Sequence, residues 1–393
     1  MTDLADDTAL HTDVTALYAA LGARPVINAA GAYTMLGGSQ LSPGVRAAMD
    51  TANLYFADMR SLMESSGRVI ADMLGVEAAW ITSGAASALT LSVAACMTLQ
   101  HREYLERLPE CQGIPNEVIV QKSTRQKYDR LLSVSGARIV EAGDETGLTP
   151  QQLDAAIGPA TAAVHYFVPL QGPVAGVPPL ESVVEVAHAH GLPVIVDAAG
   201  HTYPLDHFRR YARAGADLVC YAAKYFDAPH STGMVIGRQD LIEMVGLNSF
   251  IGFETSGYLT IGRPMKVDRQ EIVAVVVALR EWLAMDHEAR YQAYAERIDL
   301  LLTALKAIPG VDAQRVSALE QPTPVIREGI RIRLASPTAA DSLAQLLKDG
   351  EPSIWTRANG SALDVSVAHM SDTDVPIVAT RLVAELASGS FAK

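Results

Sequence analysis

Seven short runs rich in β-forming residues, AAWITSG, NEVIVQK, ARIVEAG, TAAVHYFVP, LPVIVDAAG, ADLVCYAAK and TGMVIG, recur along residues 78–237. Stretches with helical spacing lie between several of them: AASALTLSVAACMTLQ, TPQQLDAAIG and PPLESVVEVAHAHG, with SPGVRAAMDTANLYF and SSGRVIADMLG ahead of the first. Gly75 and Gly191 supply stop signals. This alternation restricts the chain to an α/β fold with a largely parallel central sheet.

After TGMVIGRQDLIEMV the character changes. Residues 265–308 form a long helical stretch, broken near Met285 to His287, and a smaller α+β unit follows. In that unit GIRIRLA and SALDVSVA read as strands and TAADSLAQLLKDG as a helix. Three segments are therefore expected: 1–35, too poor in apolar surface to fold alone and packing with the small domain; 36–262, a large domain; and 263–393, the long helix with a small C-terminal domain. With 393 residues, 49% of them hydrophobic and 19% charged, the chain can bury a large core. It has no apolar run of membrane-spanning length and an acidic rather than basic N-terminus, so a cytoplasmic protein without a membrane partner is expected. Cys96, Cys111 and Cys220 form no CxxC pair, which suggests neither a disulfide framework nor a zinc site. The net charge of −13 disfavours nucleic acid, whose affinity rests on cations, but leaves small anionic substrates open.

Open parallel sheets bind ligands at the carboxyl ends of their strands. Three such ends carry useful chemistry. AAWITSGAASALTLS passes through Ser83, Gly84 and Ala85 into a helix, where backbone N–H groups can meet a phosphate; LPVIVDAAG ends in Asp197; ADLVCYAAK ends in Lys224. Singly, each has an ordinary reading: a capped helix, a capping acid, an exposed lysine. In this order they form the set a pyridoxal-phosphate (PLP) enzyme requires, an amine for a Schiff base, a carboxylate for the pyridine nitrogen and donors for the phosphate.

The stretch VINAAGAYTMLGGSQLSPGVRAAMD, continuing to WITSGAASALTLSVAACMT, resembles the PLP-dependent family of bacterial selenocysteine synthase and its tRNA-independent relatives of the D-glucosaminate-6-phosphate ammonia-lyase type. VDAAGH, GADLVCYAAKYFDAPHSTGMVIGRQDLIE and IGRPMKVDRQEIVAVVVAL are similar to that family's later motifs, in the same order. The resemblance implies the fold-type-I aminotransferase architecture, PLP as cofactor and a homodimer or higher even-numbered homo-oligomer with sites at subunit interfaces. It gives Lys224 the Schiff base, Asp197 the pyridinium, and Ser83, Gly84 and Ala85 the phosphate, with Ser231 and Thr232 beside it. Arg357 in SIWTRANG resembles an arginine that holds a substrate carboxylate.

The chain also departs from the family. Ala222 and Ala223 stand for Gly-Gly, Ala228-Pro229-His230 for Gly-Pro-Gln, Thr124 and Arg125 for a His-Arg pair, and Ser366 for an arginine. The cofactor set survives while the substrate-facing set is edited. His201 and His230 flank the expected site and are candidates for cofactor or substrate contact and acid/base work, against the plain reading of loop histidines holding hydrogen bonds. Arg60, Arg125, Arg263 and Lys266 are candidate anchors for a substrate phosphate or carboxylate. His188 and His190, two apart, do not share a helix face and suggest no metal. The expected activity is Cα deprotonation of a small amino acid or amino-sugar acid, followed by β-elimination of the ammonia-lyase type, with β-replacement or transamination as the alternatives. No GxGxxG follows a strand, which counts against a dinucleotide-binding oxidoreductase.

Overall fold

The computed structural model describes residues 14–169, 174–317 and 328–387. These form two compact units: the described residues up to Leu36 join those from Asp286 on, and Gly37–Met285 make the larger unit. Residues 1–13 of the expected N-terminal segment lie outside the described residues.

The first strand, β1 (Val26–Asn28), belongs to the smaller unit. The larger unit is built on β2 (Ala78–Thr82), β3 (Glu117–Gln121), β4 (Arg138–Ala142), β5 (Thr161–Phe167), β6 (Val194–Asp197), β7 (Leu218–Ala222) and β8 (Gly233–Gly237). Their order across the sheet is β2-β8-β7-β6-β5-β3-β4, and β8 runs antiparallel to both its neighbours while the other pairs are parallel. Strands β2, β6, β7 and β8 are buried along their whole length, which is why they read as unbroken apolar runs rather than as an alternation. The helix Gly84–Thr98 is buried on nearly every side, as its almost wholly small and apolar sequence requires.

The division between the units falls at Met285/Asp286, not at the change of character near 263. The helix Arg269–Ala284 buries Ile272, Val275, Leu279 and Trp282 and packs on the helices Pro43–Asn53 and Met59–Leu74, so it belongs with the large unit. Met285 is extended, and the Asp286 carboxylate accepts from the Ala289 N–H to start the next helix, His287–Lys306.

In the smaller unit β9 (Asp312–Ser317), β10 (Glu328–Arg333), β12 (Arg357–Ala358) and β13 (Ala362–Ser366) form an antiparallel sheet of order β12-β13-β10-β9, while β11 (Ser353–Trp355) pairs in parallel with β1. Ile298, Leu301, Ile330, Leu343, Leu363 and Leu382 are among its core residues. Among the described residues no helix is long and apolar enough to cross a membrane.

Candidate active site

Sheet register gathers the candidate groups at one edge of the larger unit. Gly233, which opens β8, is paired with Thr82 on one side and Ala222 on the other, and Asp197 is paired with Cys220. The Ser83–Ala85 turn, Thr232 and Lys224 are therefore all within three residues of one sheet position, with Asp197 on the next strand.

The turn has the form of an anion cradle. Gly84 adopts φ +79, a conformation open to glycine at little cost, and it lets the chain reverse from β2 straight into a long helix. The first N–H groups of such a helix have no acceptor within it and carry its positive end. A Cβ on Gly233 would collide with the Gly84 carbonyl carbon and lie 2.7 Å from the Ala85 nitrogen, so the glycine allows the strand to sit tightly beneath the turn. Ser83 makes no side-chain cap; its hydroxyl pairs with that of Ser87 at 2.8 Å.

Lys224 lies on a single 3-10 turn, Ala223–Phe226, directly after β7. Asp227, at φ 58, closes the turn, and the Ala228 N–H donates to the Ala223 carbonyl at 3.2 Å. Thr202 donates to the Tyr225 carbonyl at 2.7 Å and Ser39 to the Ala228 carbonyl at 2.6 Å, which fixes the loop on both sides. The Lys224 Nζ is 5.3 Å from the centre of the Tyr225 ring. Gly38, at φ +74, comes so close that a Cβ there would strike the His230 ring and lie 2.9 Å from Lys224 Cδ. His230 is thus brought beside Lys224. Burial, and then the lysine charge, hold its imidazole below the usual range, so it is neutral near pH 7.

Asp197 is 4% exposed. Its Oδ1 accepts from the Ala199 N–H at 3.1 Å and its Oδ2 from the Gln126 side-chain amide at 3.3 Å. Burial pushes its carboxyl up to about 6, because two neutral donors do not replace lost hydration. Such a carboxylate is short of a cationic partner, and a protonated ring nitrogen is one.

The other candidates are placed as follows. Thr232 is buried and its hydroxyl donates to the Pro229 carbonyl at 2.7 Å, whereas Ser231 is exposed and its hydroxyl donates to Glu271. His201, four residues past Asp197, is buried with Nδ1 2.9 Å from the Tyr211 hydroxyl and its ring 5.2 Å from that of His207. Arg263 pairs with Glu254 at 2.7 Å, Arg60 with Glu64 at 2.9 Å, and Arg125 with Asp129 at 2.6 Å and with Glu141. Each of these three arginines faces a carboxylate, and Lys266 is exposed. Arg357 lies on β12 of the smaller unit, where its Nε donates to the Ala30 carbonyl at 2.8 Å and its guanidinium covers the Tyr33 ring at 4.2 Å. Among the described residues no group of three or more His, Cys, Asp or Glu could hold a metal ion.

Gly38, Gln126 and Asp129 were not expected as site residues. Glycine at 38 is one of an exposed-looking Gly-Gly pair, and Gln126 has no signature; Asp129, however, stands four residues after Arg125, a helical pairing distance.

The chain is 33% identical over 349 residues to a 5'-C-glycyluridine monooxygenase-decarboxylase of a Streptomyces species, covering 86% of this chain and 84% of that one. It is 31% identical to the D-glucosaminate-6-phosphate ammonia lyase of Salmonella typhimurium, covering 87% and 89%. A solved D-glucosaminate-6-phosphate ammonia-lyase structure superposes with a TM-score of 0.78 at 28% identity, over 95% of this chain and 99% of that one. The chain belongs to this family of PLP-dependent fold-type-I enzymes. An L-seryl-tRNA(Sec) selenium transferase of Rhizobium meliloti is 24% identical over 62% of the chain, and a serine palmitoyltransferase of Sphingomonas wittichii shares the fold at 16% identity and a TM-score of 0.59. No family model matches the sequence. The residues present fit the cofactor of this family: the glycine-lined helix start suits a phosphate, and the under-donated buried carboxylate of Asp197 suits a pyridinium.

Proposed function

We propose that this PLP-dependent lyase removes the Cα proton of a small amino acid or amino-sugar acid and releases ammonia after β-elimination. The observation that carries the reading is the placing of Lys224, Asp197 and the Ser83–Ala85 turn at the same end of the sheet's strands, in a chain 31% identical to an ammonia lyase. Bound PLP supplies an electron sink for the charge left on Cα. The chain's own groups do the rest. The Ser83–Ala85 N–H groups and the helix start hold the phosphate, and Asp197, kept ionised, holds the ring nitrogen protonated. The Lys224 amine takes the Cα proton, and neutral His230 beside it is placed to move a proton to the departing β-group. Arg357 is the proposed carboxylate anchor, its Nε held by the Ala30 carbonyl.

A second reading is oxidative decarboxylation of an amino acid, favoured by the 33% identity to a monooxygenase-decarboxylase. The two differ in products. Purified protein with PLP is assayed over a panel of β-hydroxy amino acids, amino-sugar acids and glycyl-type amino acids for ammonia and keto acid, and for oxygen uptake and carbon dioxide. Ammonia and keto acid without oxygen uptake support elimination; oxygen-dependent carbon dioxide release overturns it. The prior check is a visible band that borohydride bleaches, with the reduced adduct mapped to Lys224 and absent in Lys224→Ala; a wild-type protein with no such band refutes the cofactor assignment.

The reading includes a cytoplasmic homo-oligomer. Leu54, Tyr55 and Phe56 form a consecutive run that is 73%, 79% and 94% exposed, an apolar surface that a lone subunit would leave in water. Light scattering that returns the monomer mass of 41.9 kDa refutes this part.

A further inference from the structure

Each oxygen of Asp197 has one hydrogen-bond donor. That on Oδ1 comes from its own turn, the Ala199 N–H; that on Oδ2 comes from Gln126, 71 residues away in sequence. The orientation of the carboxylate about its own side chain thus depends on Gln126. That residue is held in turn. Its backbone N–H donates to Asp129 Oδ2 at 3.0 Å, and its backbone carbonyl accepts from the Asp129 N–H at 3.1 Å. An ionised carboxylate only accepts, so the NH2 end of the amide is the one that faces Asp197. Asp129 is 3% exposed, and Arg125 fixes it by donating to the same Oδ2 at 2.6 Å while also pairing with Glu141.

We propose that Gln126 is the positioning residue for Asp197: held by the Arg125–Asp129 clamp, its amide aims the carboxylate and favours its ionised form. The clamp also explains why Arg125 does not serve as a substrate anchor. This rests on the cofactor reading above, since an aimed and ionised Asp197 matters for holding a ring nitrogen protonated.

The groups facing Asp197 make the amide count. Asp129 contributes a like charge that favours the protonated carboxyl. His165 on β5 is fully buried and held down to about 4, hence neutral at working pH. Cys220, paired on β7, is pushed by burial far above its usual range and remains a thiol. None of these offers a positive charge, so the two neutral donors carry the stabilisation of the anion.

The test uses the full chain with Gln126→Leu and the near-isosteric Gln126→Glu. In the apo-protein, the Asp197 carboxyl is titrated by 13C NMR with Asp197→Asn as the assignment control. Gln126→Leu is expected to raise it by about one pH unit, the scale of losing one hydrogen bond to a charged group, and Gln126→Glu by more, since a second acid then faces it. In the holoenzyme, the pH at which the visible band changes shifts in the same direction, and cofactor affinity falls about tenfold in Gln126→Leu. If Gln126→Leu melts too low to titrate, Gln126→Glu decides. A lowered melting temperature with an unmoved Asp197 titration in whichever variant folds overturns the proposal. Failure of wild-type protein to form the borohydride-sensitive adduct would instead strike the cofactor reading, leaving the apo titration to judge Gln126 separately.

Discussion

Replacing Asp197 by Asn should stabilise the protein without cofactor while disabling it. Asp197 is buried, and its carboxyl is raised from 3.8 to about 6, chiefly by burial. Two pH units correspond to about 3 kcal/mol. The sign follows from proton counting. Between about pH 4 and 6 the folded apo-protein keeps a proton that the unfolded chain has released, so this group's contribution falls as pH rises through that window, and above it the whole penalty stands. Asn keeps the shape and removes the charge, and Gln126 can turn its amide to accept from it. After allowance for one imperfect hydrogen bond, the gain at pH 8 is about 2 kcal/mol, or about 4–8 °C in melting temperature for a domain of this size. The gain should shrink to nothing, or reverse, near pH 4. The assay is thermal and urea unfolding of both apo-proteins from pH 4 to 8, repeated with PLP, which should raise the wild-type melting temperature more than that of the variant. A variant no more stable than wild type at pH 8, or a difference that does not shrink towards pH 4, would refute the claim that Asp197 is held at a cost in stability for the sake of a cationic partner.

Three further outcomes follow from the packing. Gly38→Ala puts a methyl group into the His230 ring and against Lys224 at a positive φ, so a backbone cost of about 1–2 kcal/mol is expected along with a weakened cofactor affinity, measured by equilibrium dialysis. Gly233→Ala should wedge the strand away from the Ser83–Ala85 turn, lowering affinity for PLP much more than for pyridoxal, because the missing contact is to the phosphate. In the smaller unit Arg331 grips Asp364 at 2.7 and 2.8 Å, and Asp364 is fully buried; Arg331→Met leaves that charge with only Asn359 and should cost about 3–5 kcal/mol in urea unfolding.

The strands and the positions of the candidate groups at their ends were legible because they depend on local pattern. Runs such as LPVIVDAAG and ADLVCYAAK are buried on both faces, so they show as uninterrupted apolar stretches ending where polarity returns, and that return is where Asp197 and Lys224 stand. The antiparallel direction of β8 was not legible, since a buried strand has the same composition whichever way it runs. The expected break at 263 was a change of local character, whereas the division at 285/286 is decided by which surface the helix Arg269–Ala284 covers, and its partners lie more than 190 residues earlier in the chain.

The same distinction separates the site residues that could be found from those that could not. Lys224 and Asp197 announce themselves by type and by position at a strand end. Arg60, Arg125 and Arg263 looked equally available as cations, because a sequence shows charge but not its neutralisation; Glu64 and Asp129 at i+4 gave a readable hint for two of them, and Glu254 lies nine residues before Arg263. Gln126 had no signal at all. It is a neutral residue in an irregular segment, 122–133, without a repeat to fix which way its side chain points, and its importance comes from a carboxylate 71 residues later. Burial gives that dependence its weight: in water an amide 3.3 Å from a carboxylate would matter little, but beside a carboxylate 4% exposed it is one of two donors, the other being the Ala199 N–H. The residues that tune this site are thus the ones least marked in the sequence, because neutral donors acquire their weight only from the desolvated charge they face.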